Sequence, residues 1–210
     1  MTHTGYIFIA DITGYTAYLS KTELTHAQEI LESLMNTLVE HIHPPIVISR
    51  IEGDGVFAYT FEDCFLQSQT MLETLEHLYS AFAFELEHMK RNTTCTCQAC
   101  QLMPDLDLKL IVHYGEFATQ TIGDRTDIVG TDVNLTHRLS KNSIQEKTDV
   151  AAYVYFTEAC IEALRLKDYA DKAMISHKES YDHVGDIHGY VYDLLPVWER
   201  ERERRHHPNI

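Results

Sequence analysis

Long hydrophobic runs are absent from this sequence. No apolar stretch approaches the roughly 20 residues that a membrane-spanning helix requires, so we expect no membrane association. The first residues, Met1 to Gly5, also lack the basic and apolar regions of a secretory signal. A cytoplasmic location is the expectation that follows.

Basic residues are scarce as well. There are 17 Lys and Arg residues against 32 Asp and Glu residues, which gives a formal net charge of −15. We therefore expect no nucleic-acid partner, because binding to a duplex is mainly electrostatic. A single nucleotide is not excluded, since bound Mg²⁺ can supply positive charge locally. The five cysteines, an odd number, fit a reduced compartment better than a disulfide framework.

The hydrophobic pattern predicts an α+β fold. A length of 210 residues suits one domain with a full core. Thr25 and Gln28 resemble a capping box that starts the first long helix, and Pro44-Pro45 ends it. Strands are predicted at 6–10, 46–51, 56–60, 106–114 with a continuation over 116–122, 151–156 and 184–195 (strand or hairpin), and helices at 25–42, from Phe65 to Leu86, 130–139 and 157–166. This order is a ferredoxin-like βαββαβ core with C-terminal additions.

Two carboxylates occupy the tips of predicted strands. Asp11 ends the first strand, and Asp54 lies in the hairpin turn Glu52-Gly53-Asp54-Gly55. In a ferredoxin-like sheet the first strand lies beside the third, so these tips are expected to meet. Either aspartate alone is an ordinary turn residue. As a pair they repel unless a cation lies between them, and carboxylates with a phosphate co-ligand are what Mg²⁺ prefers.

A third segment adds an amide and a cation. If residues 130–139 are helical, Asn134 and Arg138 share a face, whereas Asp132 and His137 point elsewhere. An arginine on a helix is by itself more often part of a surface ion pair.

Together these segments resemble the catalytic domain of class III nucleotide cyclases. The resemblance spans roughly residues 5–195 and rests on Phe8-Ile-Ala-Asp-Ile-Thr-Gly-Tyr-Thr16, Arg50-Ile-Glu-Gly-Asp54, His113-Tyr-Gly-Glu116 and the run from Asp127 to Leu139. The family places a base-reading residue, then Asn seven positions on and Arg four further. Asp127, Asn134 and Arg138 have that spacing.

The resemblance implies an activity and a set of roles. The protein would convert a nucleoside triphosphate, with ATP as first choice, to a 3′,5′-cyclic nucleotide such as cAMP and pyrophosphate. Asp11, Asp54 and the Ile12 carbonyl would hold two Mg²⁺ or Mn²⁺ ions. Asn134 would orient the ribose and Arg138 would neutralise charge on the α-phosphate.

The resemblance also implies substrate contacts and a partner. Thr13, Gly14 and Tyr15 would contact the substrate after the first strand. The metal-binding acids would come from one chain and the Asn/Arg pair from another, which implies a homodimer with two shared sites.

One position departs from the family. The adenine reader four residues before the second metal-binding acid is usually Lys, and here it is Arg50. Arginine presents a planar fork of donors where lysine presents a point charge, so the selected base stays open. Asp127 is the usual partner of an exocyclic amino group. A catalytically silent nucleotide-binding domain of the same fold and another two-metal palm-type enzyme are the alternatives.

Cysteines cluster at Cys95, Cys97 and Cys100, within a Cys-rich insertion of about residues 92–103. Three thiols in six residues can hold structural Zn²⁺, which takes four ligands, and His88, Cys160 or a residue of a partner chain are candidates for the fourth. The alternative is a loop with free or redox-sensitive thiols. His113 is expected to orient or pack rather than to catalyse. The catalytic domain is predicted over 1–196 and is followed by a charged C-terminal tail over 197–210. Within this tail, Glu and Arg alternate over 199–205, which are predicted to form a solvated helix end or a frayed terminus.

Overall fold

The computed structural model describes residues 2–64, 68–123 and 125–206, so Phe65 lies outside the described residues. A mixed sheet forms its centre. The strands are β1 (Thr2–Thr13), β2 (Val47–Glu52), β3 (Gly55–Phe61), β4 (Asp107–Ile122), β5 (Arg125–Val129), β6 (Tyr153–Thr157), β7 (Ile175–Tyr181) and β8 (Gly185–Asp193).

Helices cover both faces of this sheet. They are α1 (Tyr15–Lys21), α2 (Leu24–His41), α3 (Ser68–Asn92), α4 (Gln98–Leu102), α5 (Thr131–Leu139), α6 (Ile144–Thr148), α7 (Glu158–Ala163), α8 (Lys167–Ala173) and α9 (Leu195–His206). Short 3₁₀ turns follow at Glu62–Cys64 and Met103–Asp105. None of the helices in the described ranges has the length and apolarity to cross a bilayer.

The strand order confirms the predicted α+β fold. The strands run β2-β3-β1-β4-β6-β8-β7, and β5 pairs with β4. β1 is antiparallel to both β3 and β4, which is the ferredoxin-like arrangement. β6 adds in parallel to β4, and the β7–β8 hairpin extends the sheet beyond the core.

Alternation along β1 divides the core in two. Tyr6, Phe8, Ala10 and Ile12 pack in the larger cluster with residues of α2 and α3. Ile7 and Ile9 face the other side of the sheet, where residues of α5 cover them. Because side chains alternate with period two, Asp11 shares the α5 face with Ile9.

Several local predictions were wrong. α2 begins at Leu24 after Glu23, which makes no side-chain cap, so Thr25 and Gln28 form no capping box. The predicted continuation of the sheet after Gly115 is confirmed, since β4 runs through Gly115 without interruption. A side chain there would overlap the Asp132 carboxylate, so Gly115 provides space rather than a turn. α1 and β5 were not predicted.

The beginning of the predicted tail packs against the core. The boundary proposed between residues 196 and 197 falls inside α9. Trp198 is 7% exposed and belongs to the larger core cluster. The charged residues that follow continue the same helix.

Candidate active site

The end of β1 and the β2–β3 hairpin meet at one point. Asp11 pairs in register with Gly55, and the Ile12 N–H donates to the Asp54 carbonyl at 2.9 Å. The topology therefore brings Asp11 and Asp54 together. Ile12 itself is buried, and its side chain faces away from this site.

Asp11 lies in an unusual electrostatic environment. Its side chain is 14% exposed, and Lys109 Nζ lies 3.2 Å from its Oδ2. Burial raises the pKa of Asp11 to about 6; Lys109 opposes this shift and the neighbouring Asp54 adds to it. Lys109 was not recognised in the sequence. Its signal is a lysine inside an apolar strand, directly opposite Asp11 in the β1–β4 register.

This pair of acids fits a divalent cation. Two carboxylates in a partly buried position repel each other, and a cation between them removes that repulsion. Their oxygen atoms are the ligands that Mg²⁺ and Mn²⁺ prefer. Lys109 provides one positive charge beside the pair.

A pocket of about 400 Å³ opens beside the acids. It is lined by Ile9, Asp11, Glu52, Asp54, Gly55, Phe57, His137, Arg138, Ser140 and Lys141. Three carboxylates and two cations, Arg138 and Lys141, thus line one cavity of a single chain. Arg138 Nη1 also donates to the Asp182 carbonyl at 3.0 Å, which holds it towards the β7–β8 turn.

Asn134 lies on the same helix but outside that pocket lining. α5 confirms the predicted helix, so Asn134 and Arg138 are one turn apart. The Asn134 side chain is exposed to solvent.

The two proposed base readers contact each other. Arg50 Nη1 donates to Asp127 Oδ1 and Oδ2 at 2.8 and 2.7 Å, and its Nε is ion-paired with Glu52 at 2.7 Å. Asp127 Oδ1 also accepts from Ser49 and from the Ile128 N–H. Burial alone would raise the pKa of Asp127, but these hydrogen bonds and the Arg50 charge hold it below its usual range.

His137 and Phe57 join this pair to the pocket. The His137 ring stacks on Phe57 with centroids 3.8 Å apart, and the Arg50 guanidinium lies 4.5 Å from the same phenyl centroid. Arg50 Nη2 contacts His137 Nε2. Burial, and then the Arg50 cation, hold the pKa of His137 below its usual range. The sequence analysis set His137 aside, because helical spacing alone does not reveal a contact with Arg50.

The turn after β1 carries the remaining predicted substrate contacts. Thr13 Oγ1 is buried and has no hydrogen-bond partner among the described residues. Gly14 adopts the left-handed conformation at φ 85°, and a Cβ there would lie 3.2 Å from the Asp105 carbonyl. Glycine is therefore required at this turn. Tyr15 packs against the larger core cluster.

His113 and Asp132 position the start of α5. Asp132 Oδ2 accepts from the Glu116 N–H at 2.7 Å, and its Oδ1 lies 3.5 Å from His113 Nε2. His113 Nδ1 is hydrogen-bonded to Thr157 Oγ1 at 2.9 Å. Burial holds the pKa of His113 below its usual range despite the nearby Asp132.

The cysteine cluster lies apart from this pocket. His26 joins Cys95, Cys97 and Cys100 in a group able to hold a metal ion. His88 and Cys160 are not part of it, so both in-chain candidates for the fourth ligand were wrong. His88 lies 3.9 Å from Glu85, and Cys160 is buried in the core.

Sequence comparison places the chain in a family. Residues 27–148, more than half of the chain, match the family described as "Protein of unknown function (DUF2652)". The chain belongs to this family. It is also similar to "Uncharacterized protein Rv2561/Rv2562" of Mycobacterium tuberculosis, with 23% identity over 147 residues. That match covers 70% of this chain and 66% of the mycobacterial protein.

Structure comparison shows the fold of nucleotide cyclase domains. A bacterial light-regulated adenylyl cyclase matches with a TM-score of 0.66 and 16% identity, over 97% of this chain and 56% of that one. The guanylyl cyclase Cya2 matches with 0.64 and 14%, over 91% and 92%. The adenylyl cyclase CyaB from P. aeruginosa matches with 0.55 and 15%, over 90% and 94%. This member of the DUF2652 family therefore has a cyclase-like fold.

Proposed function

We propose that this chain cyclises a nucleoside triphosphate, with ATP as the expected substrate, to a 3′,5′-cyclic nucleotide and pyrophosphate. The observation that carries the proposal is the convergence of Asp11 and Asp54 at a pocket that the cation Lys141 also lines. Adjacent carboxylates and cations are what a triphosphate with its metal ions requires. The cyclase-like fold of the neighbours supports the same reaction.

Asp11 and Asp54, with the Ile12 carbonyl, would hold two Mg²⁺ or Mn²⁺ ions. When bound, such ions lower the pKa of the ribose 3′-hydroxyl and neutralise phosphate charge. The 3′-hydroxyl would give its proton to solvent water while its oxygen bonds to the α-phosphorus, and the bond between that phosphorus and the pyrophosphate oxygen would break.

Cationic side chains would stabilise the charge that develops in this step. Arg138 would neutralise the α-phosphate, and Lys141 in the pocket lining and Lys109 beside Asp11 would contact the departing pyrophosphate. Thr13 supplies a hydroxyl whose hydrogen bond is unmade, and it shares the strand end with Asp11. With Gly14 and Tyr15 it would form the substrate-binding turn.

Asp127 and Arg50 would select the base. Asp127 Oδ2 accepts only from Arg50 in the described structure, which leaves acceptor capacity for an exocyclic amino group. Adenine and cytosine both present such a group. The ion pair with Arg50 would fix the direction of that acceptor.

A homodimer with shared sites is part of the proposal. Asn134 is exposed and does not line the pocket of its own chain, so it would reach the ribose of a nucleotide held by a second copy. Arg138 is exposed on the same face of α5. It would serve across the same cleft, although it also borders the pocket of its own chain.

The test is product analysis with ATP, GTP, CTP and UTP in Mg²⁺ or Mn²⁺. We expect a cyclic nucleotide from one or more of them, and we expect Asp54→Ala to abolish it. Asp63→Ala, which changes an exposed aspartate beyond the opposite end of β3 from Asp54, is the matched control. Absence of a cyclic product from all four nucleotides in the dimeric protein would contradict the proposal.

Mixing two inactive variants tests the shared sites. Asp54→Ala and Arg138→Ala subunits, combined after separate purification, leave one intact site in each mixed dimer. Random assortment then restores about a quarter of the wild-type activity. If both residues act within one chain, mixing restores nothing.

A catalytically silent nucleotide-binding domain is the second candidate. The observation that favours it is the mutual pairing of Arg50 and Asp127, which directs the two base readers at each other in the absence of a ligand. A thermal shift caused by one nucleotide, without turnover and lost in Asp127→Ala, would select this alternative.

A further inference from the structure

The Cys-rich segment forms a second group of metal-ligand atoms with His26. None of these four residues lines the pocket at Asp11 and Asp54. His26 Nδ1 and the Sγ atoms of Cys95, Cys97 and Cys100 all lie within 4.8 Å of one another. His26 is in the first turn of α2, about 70 positions before the cysteines, so only the fold brings the group together.

The distances within this group match a tetrahedral site. His26 Nδ1 lies 3.2 Å from Cys97 Sγ, 3.5 Å from Cys95 Sγ and 4.0 Å from Cys100 Sγ. With Zn–S bonds near 2.3 Å and Zn–N bonds near 2.0 Å, tetrahedral ligand atoms are about 3.5–3.8 Å apart. The measured separations bracket that value. Three thiolates and one imidazole are also a standard ligand set of structural zinc.

The backbone around the cysteines is held by contacts that need no metal. Cys97 precedes the first residue of α4, and its Sγ accepts from the Cys100 N–H at 3.5 Å. The Glu23 carboxylate accepts from the N–H groups of Gln98 and Ala99 at 3.4 and 3.3 Å. Because these bonds join the start of α2 to α4, His26 and the cysteines face each other before any ion binds.

We propose that His26, Cys95, Cys97 and Cys100 bind one Zn²⁺ ion. The ion joins α2 to the insertion. Among the described residues, the hydrogen bonds to Glu23 and the packing of Ala99 in the core also hold the insertion in place. The remaining cysteines do not compete for it, since Cys64 is exposed elsewhere and Cys160 is buried in the core.

The site has a consequence for the turn after β1. The Tyr18 hydroxyl of α1 donates to the Ala99 carbonyl at 3.0 Å, and the Asp105 carbonyl lies against Gly14. The insertion therefore supports both the glycine turn and the helix that follows it. Loss of the ion should loosen α1 and this turn more than the distant β7–β8 hairpin.

Metal content of the full chain, purified in a phosphine reductant, tests the proposal. We expect about one equivalent of Zn²⁺ by elemental analysis, and Co²⁺ exchange should give the intense visible bands of a tetrahedral thiolate site. His26→Ala and Cys97→Ser should lose the stoichiometric ion. His88→Ala and Cys64→Ser, a nearby histidine and a cysteine outside the cluster, should keep it.

His26→Cys guards against a variant that merely fails to fold. It keeps four ligands, so we expect it to retain about one Zn²⁺ and to strengthen the thiolate-to-Co²⁺ charge-transfer band. Hydrogen exchange should be measured on the wild-type protein before and after chelation. We expect chelation to increase the exchange rate of α1 more than that of β8. Wild type without stoichiometric zinc after incubation with Zn²⁺, or unchanged zinc in His26→Ala, would overturn the proposal.

Discussion

Replacing Asp11 with asparagine should stabilise the metal-free protein. The folded pKa of Asp11 is about 6 against an ordinary value of 3.8, a difference of about 2 units that arises first from burial. At about 1.4 kcal/mol per unit, holding this carboxylate ionised costs about 3 kcal/mol at pH 7.5. Asparagine keeps the shape and removes the charge, so Asp11→Asn recovers that cost.

The pH dependence of this gain has a definite sign. Between pH 3.8 and 6 the folded protein binds more protons at Asp11 than the unfolded chain does, so the stability contribution of Asp11 falls as pH rises through that window. The gain from Asp11→Asn should be fully present above pH 6 and roughly halved at pH 5. In a domain of this size, 3 kcal/mol corresponds to about 6–12 °C in Tm.

Thermal unfolding in a chelator, at pH 5 and pH 7.5, measures the effect. Saturating Mn²⁺ should then stabilise the wild type but not Asp11→Asn, since a carboxylate needed to hold the ion is gone. Asp186→Asn, which changes an exposed carboxylate paired with Lys178, is the control and should leave Tm nearly unchanged. A loss of stability in metal-free Asp11→Asn at pH 7.5, or an equal gain at both pH values, would refute the reasoning.

Three further predictions concern the scaffold. Gly115→Ala should lower Tm because its methyl group overlaps the Asp132 carboxylate. In a double-mutant cycle, the loss of stability in the Gly115→Ala/Asp132→Ala variant should be smaller than the sum of the losses in the two single variants. The free energy of urea unfolding should fall less between pH 6.5 and pH 5 in His113→Gln than in the wild type. The reason is that the pKa of His113 is lowered in the folded protein, which makes stability fall as pH falls by up to about 1.4 kcal/mol per pH unit. Trp198→Ala should lower the free energy of unfolding by about 3 kcal/mol in the same assay, because it empties a buried position in the larger core cluster.

The strands of the core could be predicted because their hydrophobic pattern is local. Residues 6–10 of β1 and 56–59 of β3 are continuously apolar, and the turn at 52–55 marks the hairpin before β3. The β1–β3 pairing then follows from topology, which is why Asp11 and Asp54 could be placed together. Asn134 and Arg138 follow from helical spacing in the same way.

The contacts that could not be predicted join segments with no local signal in common. Lys109 faces Asp11 only because of the β1–β4 register, and a shift of one residue would turn it to the opposite face. His26 reaches the cysteines only because Glu23 joins the start of α2 to α4. In both cases the cation or ligand belongs to a regular element, and its partner lies on a distant segment that the local pattern does not identify.

That difference also explains why the two polar centres respond differently to change. Asp11 and Asp54 bring like charges together at the end of β1, which the sheet holds from both sides. The packed strands keep the two carboxylates in place despite their repulsion, so a neutral side chain at Asp11 should increase the free energy of unfolding. The cysteines of the cluster at His26 lie on an insertion with a short helix and little core of its own. The insertion is held by the hydrogen bond that the Glu23 carboxylate accepts from Ala99 and by the one that the Tyr18 hydroxyl donates to Ala99. Removing a zinc ligand should therefore make α1 and the Gly14 turn less ordered. Replacing Asp11 with asparagine should instead lower the proposed activity and make the metal-free fold more stable.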